Sequence, residues 1–535
     1  MQREQLIARL AQPVTYDMAI IGGGATGLGV AVDAAARGLS VVLLESHDFA
    51  KGTSSRATKL VHGGVRYLAQ GNIALVKEAL HERVNLLSNA PHLAQPLPFI
   101  MPSFKWWETP FYGIGLLLYD LLGGKLSSKV GLGRTEFLNA TKIKALLPTI
   151  KTAGLNSGVK YWDGQFDDAR LALALAQTAA DKGALIVNYC PVEGFLHEAG
   201  KLVGLKVRDS ETSQTYSLNA KCIVNAAGVW VDQLRQLDGQ AAGAVVKDMV
   251  APSQGIHLVV DREFWPTDHA LLVPKTEDGR VLFAVPWLGK TILGTTDSPR
   301  NDLAREPEPF AEQVDFVLRE AGRYLSKPPQ RSDVRSIWVG LRPLVKPPEE
   351  EGQSTQALSR EHTILVSKSG LVTVTGGKWT TYRAMAEDVL ARCCEAGLIG
   401  TTKAGVTAHL KLRGANLNDR FDAGAYVSQS MVSLSGPPGL HLYGDQASAV
   451  QALPGASRQL GGGLSEAMVR YAVRFEYART VEDVLARRSR LLFLDAKLAS
   501  SLADAVSAIL QEETGFDGKP DAFKALALQY VTLPV

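Results

Sequence analysis

The chain has 535 residues, of which 46% are hydrophobic and 21% charged, and its formal net charge is +3 at pH 7. These values are ordinary for a globular protein, and the length allows about three domains. The charge is too balanced to favour nucleic acid as a partner. The four cysteines have neither metal-site nor disulfide spacing, so we expect no bound metal and reduced thiols in a reducing compartment.

Two kinds of targeting segment are not expected. The first nine residues lack the apolar core of a secretion signal. No window reaches the roughly 20 apolar residues of a membrane-spanning helix. We therefore expect a cytoplasmic protein.

The most informative motif lies near the start of the chain. An apolar strand at residues 16–21 runs into a glycine turn and then into an alanine-rich helix. In such a motif Gly22 permits the tight turn, Gly24 lets the backbone approach a pyrophosphate, and Gly27 lets the helix pack on the strand. Strand, turn and helix in this order predict a dinucleotide-binding site.

Two further features support that prediction. Ala25 and Thr26 open the helix, where free N–H groups and the positive end of the dipole face phosphates. A second strand, at residues 40–44, ends at Glu45. This acid follows the turn by about 20 residues, where it can bond a ribose hydroxyl.

The remaining chain divides by its pattern of elements. Residues 91–150 are rich in proline and aromatic residues and give no clear assignment, whereas residues 249–296 are strand-rich and predict a second sheet. Beyond about residue 400 the pattern is helical and predicts a separate domain. The other predicted elements are helices at 74–90, 169–182, 380–396, 465–476 and 481–499, and strands at 184–187, 222–228, 256–260, 270–273, 281–285 and 371–375.

A long loop at residues 49–68 distinguishes between two kinds of dinucleotide. It is dense in hydroxyls, glycines and basic groups. Such a loop suits a backbone that wraps an extended cofactor, and so favours a flavin over a nicotinamide. The alternative is a polar surface loop held by serine and threonine hydrogen bonds.

At this point the chain resembles the FAD-dependent glycerol-3-phosphate dehydrogenases, within the wider D-amino-acid-oxidase-like flavoproteins. Single blocks are generic to flavoproteins, but their ordered set is specific and spans nearly the whole chain. The blocks lie at residues 21–27, 52–55, 59–68, 161–163, 167–171, 225–230, 294–297, 340–344, 376–383 and 476–488.

The resemblance implies an α/β fold with three parts. A Rossmann-like FAD-binding domain at residues 1–400 is interleaved with a β-sheet substrate (cap) domain. The cap segments lie at roughly 80–150 and 240–345, and residues 401–535 form a C-terminal helical domain. The implied reaction oxidises sn-glycerol 3-phosphate to dihydroxyacetone phosphate, with a base removing the C2 hydroxyl proton while hydride passes to flavin N5.

The resemblance also implies the substrate residues. Arg66, Tyr67, Arg342 and Lys378 are expected to hold the phosphate dianion, for which cations and arginine forks are suited. Each has an alternative interpretation as a solvated charge or an ion-pair partner. Arg360 matches an active-site arginine that stabilises the developing alkoxide or the reduced flavin, and its alternative is a pair with Glu361.

His257 is the expected catalytic base, because a neutral imidazole accepts a proton near pH 7. The chain reads Ser-Gln-Gly-Ile-His here, where the family pattern is Lys-Gly-Ser-His, so the local electrostatics differ. The alternative is a hydrogen-bonded core histidine. His62, beside a glycine pair, is instead expected to contact the flavin.

The residues expected to bind FAD come from three segments of the chain. The segment at 376–380 stands at a helix start, so its N–H groups can face the N1–C2=O edge of the ring. We expect non-covalent FAD, since no attachment motif is apparent. Besides the turn and Glu45, these residues are Thr53, Ser54, Ser55, Lys59, Leu60, His62, Gly63, Gly376, Gly377, Lys378, Trp379 and Thr380.

The sequence leaves the electron acceptor open. A quinone is expected, and an oxidase that reduces oxygen to peroxide is the alternative. Residues 104–134 combine interfacial aromatic residues, an apolar run and basic residues, which suits a peripheral contact with the inner face of the cytoplasmic membrane. A buried helix or a homodimer contact is the other interpretation.

Two other functions would also use a flavin site. An amine or amino-acid oxidase would keep the flavin site but would need one arginine for a carboxylate, and a flavin-binding sensor would not turn over. Arginines on the last helices sit among acidic residues, which predicts a solvated or ion-paired face rather than a nucleic-acid site. They are Arg479, Arg487, Arg488 and Arg490.

Overall fold

Two large sheets and a set of C-terminal helices make up the fold. A computed structural model describes residues 3–65, 68, 72–241, 243, 245–277, 279–346, 362–416 and 432–535. The strands are β1 (Thr15–Ile21), β2 (Val41–Leu44), β3 (Leu60–Val61), β4 (Ala94–Ser103), β5 (Glu136–Asn139), β6 (Ser157–Phe166), β7 (Leu185–Val187), β8 (Val192–Glu198), β9 (Lys201–Arg208), β10 (Thr215–Asn225), β11 (Val250–Asp261), β12 (Ala270–Val273), β13 (Leu282–Trp287), β14 (Lys290–Gly294), β15 (Ser298–Pro299), β16 (Ser336–Val345), β17 (His362–Val366), β18 (Leu371–Gly376), β19 (Gln459–Gly461) and β20 (Leu464–Ser465).

The helices cover both faces of the sheets and most of the C-terminal region. They are Arg3–Leu10, Ala25–Ala36, Ile73–Asn89, Glu108–Lys129, Ala140–Leu146, Asp168–Asp181, Val231–Ala241, Ala311–Tyr324, Tyr382–Glu395, Ala447–Gln451, Glu466–Phe475, Leu491–Leu494, Ala496–Ser501, Ala503–Thr514 and Pro520–Val531. A single π-helical turn, Asp483–Arg488, precedes Leu491–Leu494. Within the described ranges, no helix is both long and apolar enough to cross a bilayer.

The first sheet has the strand order β17-β18-β10-β1-β2-β7, and its strands from β18 to β7 run parallel. Apolar residues fill these strands, as is usual when both faces of a parallel sheet are covered. The helix Ala25–Ala36 packs between Asp168–Asp181 and Tyr382–Glu395. The prediction of an α/β fold with a Rossmann-like domain is confirmed.

The second sheet brings two strands with functional residues side by side. Strand β11 pairs antiparallel with β16, with His257 opposite Trp338 and Ser253 opposite Arg342. Because side chains alternate along a strand, His257 and Arg342 lie on the same face. The opposite face packs on the amphipathic helix Ala311–Tyr324.

The segment that gave no assignment contains strand β4, which carries three prolines. Strand β6 runs along its whole length, whereas β12 pairs with it only at Phe99 and Ile100. Proline lacks an N–H donor, so it is tolerated where a strand has a neighbour on one side only. Because of these prolines, the alternation of apolar and polar residues does not predict the strand.

Buried ion pairs join the C-terminal helices to the first domain. Asp48 accepts hydrogen bonds from Arg487 and Arg488, Arg170 pairs with Glu476 at 2.7 Å, and these groups are buried. The arginines predicted to form a solvated or ion-paired face are therefore ion-paired. One apolar core also continues from the first sheet into the C-terminal helices. The domain boundary near residue 400 stays a prediction.

The buried pairs predict a strong stability effect at Asp48. Asp48→Ala leaves two buried guanidinium groups without this carboxylate, and so should lower the free energy of unfolding by about 3–5 kcal/mol. The matched control is Asp504→Ala, because Asp504 pairs with Lys524 at an exposed position, where water screens the pair and its loss should change stability little. Thermal unfolding of both variants measures the difference, and equal losses would contradict the analysis.

Candidate active site

A cavity of about 310 Å³ opens where the parallel strands of the first sheet end. Its walls come from the segments that follow β1, β2, β10 and β18, together with the loop at residues 50–54. Ligands of doubly wound sheets bind at this edge, beyond the carboxyl ends of the strands. The cavity is therefore the candidate dinucleotide site.

The glycine turn has the geometry that the motif predicts. Gly22 has a φ of +113°, which favours glycine, and a Cβ on Gly27 would overlap the Gly22 carbonyl oxygen. The N-cap residue of the helix Ala25–Ala36 is Gly24, which has no side chain to cap it. The Ala25 N–H donates to Ser54 Oγ at 2.9 Å, so the long loop reaches the helix start.

One end of the cavity is suited to a ribose and a base. Glu45 accepts hydrogen bonds from the backbone N–H groups of Gly23 (2.6 Å) and His47 (2.9 Å). The guanidinium of Arg305 lies 3.8 Å from the ring centroid of Trp230, and both line the wall. Sequence reasoning missed His47, Trp230 and Arg305. Trp230 is the last residue of the block at residues 225–230. Nothing in the sequence indicates that Arg305, which comes from a distant loop, lies at this cavity.

Another part of the cavity wall comes from the glycine pair of the segment at residues 376–380. Gly376 and Gly377 have φ values of +84° and +74°, and Lys378 and Trp379 follow them in the wall. The Trp379 indole N–H donates to the Ser54 carbonyl oxygen at 2.9 Å. The helix begins at Tyr382 rather than 380, because the residues before it form a 3₁₀ turn.

The structure brings together many, but not all, of the residues expected to bind FAD. Those that line the cavity are Gly22, Gly24, Ala25, Thr26, Glu45, Thr53, Ser54, Gly376, Gly377, Lys378 and Trp379. Others in the described part of the chain lie outside its lining: Gly27, Ser55, Lys59, Leu60, His62, Gly63 and Thr380. The N–H groups of His62 and Gly63 donate to Thr380 Oγ1 and to the Tyr119 hydroxyl, which shows that they support neighbouring segments.

His257 is a buried histidine with one partner on its ring. Its Nε2 lies 2.9 Å from Thr58 Oγ1, and its ring stacks on Trp338 with centroids 5.1 Å apart. Its Nδ1 has no hydrogen-bond partner among the described residues. Burial, with the positive charges of Lys59 and Arg342, holds the pKa of His257 well below its usual range. The imidazole is therefore neutral near pH 7.

Arg342 lies on the same face of the sheet as His257, and neither side chain is in the lining of the cavity. Its guanidinium contacts Asp297 at 3.3 Å, Thr295 Oγ1 at 3.1 Å and the Thr296 carbonyl oxygen at 3.0 Å. The next residue, Pro343, lines the cavity. Three other predicted site residues, Arg66, Tyr67 and Arg360, lie outside the described residues.

The glycine turn gives a direct test of the cofactor site. Gly27→Ala should lower the FAD retained by the purified protein several-fold, because its Cβ would overlap the Gly22 carbonyl oxygen and displace the turn. The control is Gly115→Ala, since a Cβ there meets nothing within 4 Å. Flavin absorbance per protein measures retention. Full retention by Gly27→Ala would contradict the role of the turn.

Known families match both parts of the chain. Residues 17–383 match the family described as FAD dependent oxidoreductase. Residues 405–520 match the C-terminal domain of alpha-glycerophosphate oxidase. The first match spans more than half of the chain and contains every residue of the cavity wall except Met385, which identifies the cofactor as FAD.

Individual relatives extend over nearly the whole chain. A probable mitochondrial glycerol-3-phosphate dehydrogenase of Caenorhabditis elegans is 40% identical, covering 96% of this chain and 73% of the relative. The mitochondrial glycerol-3-phosphate dehydrogenase of Homo sapiens is 39% identical with the same coverage. The solved glycerol-3-phosphate dehydrogenase of Bacillus halodurans, complexed with FAD, is 29% identical with a TM-score of 0.75, covering 100% of this chain and 98% of that one. This chain belongs to the family of FAD-dependent glycerol-3-phosphate dehydrogenases.

Proposed function

We propose that this protein oxidises sn-glycerol 3-phosphate to dihydroxyacetone phosphate and passes the electrons to a quinone at a membrane surface. The observation that carries the proposal is the pairing of β11 with β16. It puts a neutral, buried His257 and the cation Arg342 on one face of the second sheet, and His257 contacts Thr58 of the loop whose Thr53 and Ser54 line the FAD cavity. A base and a phosphate-binding cation next to a flavin are what this reaction needs.

Arg342 and Lys378 are proposed to bind the phosphate dianion. A planar guanidinium binds phosphate through two parallel N–H bonds, and an ammonium adds a second charge. The contacts of Arg342 with Thr295, Thr296 and Asp297 fix its fork in place. Arg66 and Tyr67 stay predictions for the same subsite.

His257 is proposed to take the proton of the C2 hydroxyl at Nδ1. If Thr58 accepts the Nε2–H, the lone pair of the neutral ring is on Nδ1, the nitrogen without a described partner. Stacking on Trp338 fixes the plane of the ring. Bound FAD supplies the hydride acceptor for the same carbon. Arg360 stays a prediction for the stabilisation of the developing alkoxide.

Replacement of the base should slow flavin reduction without loss of the cofactor. His257→Gln should lower the rate at which sn-glycerol 3-phosphate bleaches the flavin by about 10²–10⁴-fold, the usual contribution of a general base. Anaerobic stopped-flow absorbance measures this rate. The control, His269→Gln, changes a histidine whose ring lies near Thr267, and should keep the wild-type rate. A His257→Gln variant that reduces normally would remove His257 as the base.

The membrane part of the proposal depends on an exposed apolar patch at and before the helix Glu108–Lys129. The patch consists of Trp106, Trp107, Phe111, Ile114, Leu117, Leu118 and Leu121, which are 41–78% exposed. A buried helix, one of the interpretations of this segment, is therefore not what the structure has, although Leu116 and Tyr119 on its other side are buried. Lys105 and Lys129 flank the patch, and such an aromatic and basic combination suits a bilayer interface.

The patch and the acceptor are tested together. The double variant Trp106→Ala/Leu117→Glu should lose sedimentation with anionic vesicles and most ubiquinone reduction in them, because its apolar contact with lipid is weakened. It should keep its rate with a soluble dye. The control, Leu528→Glu, changes an exposed apolar residue of the last helix and should still sediment. Unchanged sedimentation of the double variant would contradict the membrane contact.

The alternative is an oxidase, which the match of residues 405–520 to the C-terminal domain of alpha-glycerophosphate oxidase favours. Stoichiometric peroxide during turnover in air would support it, and a rate that depends on quinone with little peroxide would exclude it. A homodimer through the apolar patch would appear as a change of mass in the double variant. The inner face of the cytoplasmic membrane stays the proposed location.

A further inference from the structure

Lys59 is a fully buried lysine outside the wall of the FAD cavity. Its ammonium donates to the Ser55 carbonyl oxygen at 2.8 Å and to Asp168 Oδ2 at 2.7 Å. It also lies 5.2 Å from the ring centroids of Trp287 and Trp338. A buried ammonium needs such a carboxylate and ring faces, because burial disfavours the charge.

Trp338 connects this cation to His257. The His257 ring stacks on Trp338 at an interplanar angle of 19°, while the Lys59 ammonium contacts the same indole. The neighbour of Lys59 in the chain, Thr58, is the residue that contacts His257 Nε2. Charge and imidazole therefore belong to one buried cluster, where electrostatic interactions are strong.

The C-terminal region holds this cluster from behind. Arg490 donates to Asp168 Oδ1 at 3.0 Å and to the Ser55 carbonyl oxygen at 2.8 Å, so it shares both acceptors with Lys59. Its guanidinium lies 4.3 Å from the ring of Phe493, which also contacts the Lys59 ammonium at 5.4 Å. Residues 490–493 thus close the pocket around Lys59.

We propose that Lys59 is a positioning residue that keeps His257 neutral in the acid range, and that Arg490 and Phe493 of the C-terminal region hold it for that purpose. The proposal rests on the proposed function of His257 as the base. It gives the C-terminal region a part in catalysis without contact with substrate or cofactor. It also differs from the expected role of Lys59 as a ligand of FAD.

The charges around His257 agree with this role. The loop before β3 contributes Lys59, and strand β16 contributes Arg342, which pairs with Asp297. Asp168 is the partner of both Lys59 and Arg490, and Asp167 lies 3.5 Å from Arg490. A positive neighbour disfavours imidazolium, which is why Lys59 and Arg342 add to burial in lowering the pKa of His257. Burial lowers the pKa of Lys59 itself to about 7, so its ammonium form predominates at acid pH.

The test measures the protonation of His257 directly. Histidine-labelled protein, without and with FAD, is titrated by NMR, and His257 is identified by its missing signal in His257→Gln. Lys59→Met removes the charge and keeps the length, so it should raise the pKa of His257 by about half a unit or more. The acid limb of kcat/KM for flavin reduction should move to higher pH by the same amount.

Three variants separate this effect from a loss of packing. Lys59→Arg keeps the charge and should return the titration toward that of the wild type. Lys290→Met removes a lysine paired with Asp261 and Asp495 at the far end of β14, and should change neither readout. Lys59→Gln replaces Lys59→Met if the methionine variant does not fold.

The outcomes for this proposal and for the proposed function are distinct. An unchanged pKa of His257 in a folded Lys59→Met or Lys59→Gln variant would overturn the positioning role. A wild-type flavin that does not bleach with sn-glycerol 3-phosphate would overturn the proposed function, while the NMR titration would still decide the role of Lys59.

Discussion

Two buried carboxylates, Asp48 and Asp168, hold the loop between β2 and β3 against the C-terminal region. The FAD cavity and the surroundings of His257 both depend on where that loop lies. Asp48 binds two arginines of the π-helical turn, and Asp168 binds Lys59 and Arg490. The same loop places Ser54 at the start of the helix Ala25–Ala36 and Thr58 on His257. A charge left without its partner in such an interior is costly, so the loop has one favoured position.

The second sheet carries two of the proposed site residues, His257 and Arg342. Pairing of β11 with β16 sets His257 and Arg342 on one face, and the opposite face is buried on a helix, so the register cannot slip by one residue without exposing that apolar face. Burial lowers the pKa of His257, and nearby cations lower it further. A neutral imidazole and a charged guanidinium can therefore lie close together.

Much of the FAD site was predictable from the sequence, because its parts are local. The turn at Gly22 and the pair at Gly376 are each recognised from a short run of adjacent residues. The strand ends of a parallel sheet then meet at one edge. Arg305 was not predictable, since it reaches the cavity from a distant loop. Lys59 was placed on the flavin by its motif, whereas its burial depends on Arg490, more than four hundred residues later.

The central claim is that sn-glycerol 3-phosphate reduces the bound flavin. The most direct measurement is the visible spectrum of the anaerobic purified protein before and after addition of this substrate. The flavin band should bleach with sn-glycerol 3-phosphate. It should persist with glycerol, because glycerol lacks the phosphate that Arg342 and Lys378 are proposed to bind. A flavin band that stays unchanged with sn-glycerol 3-phosphate would contradict the account.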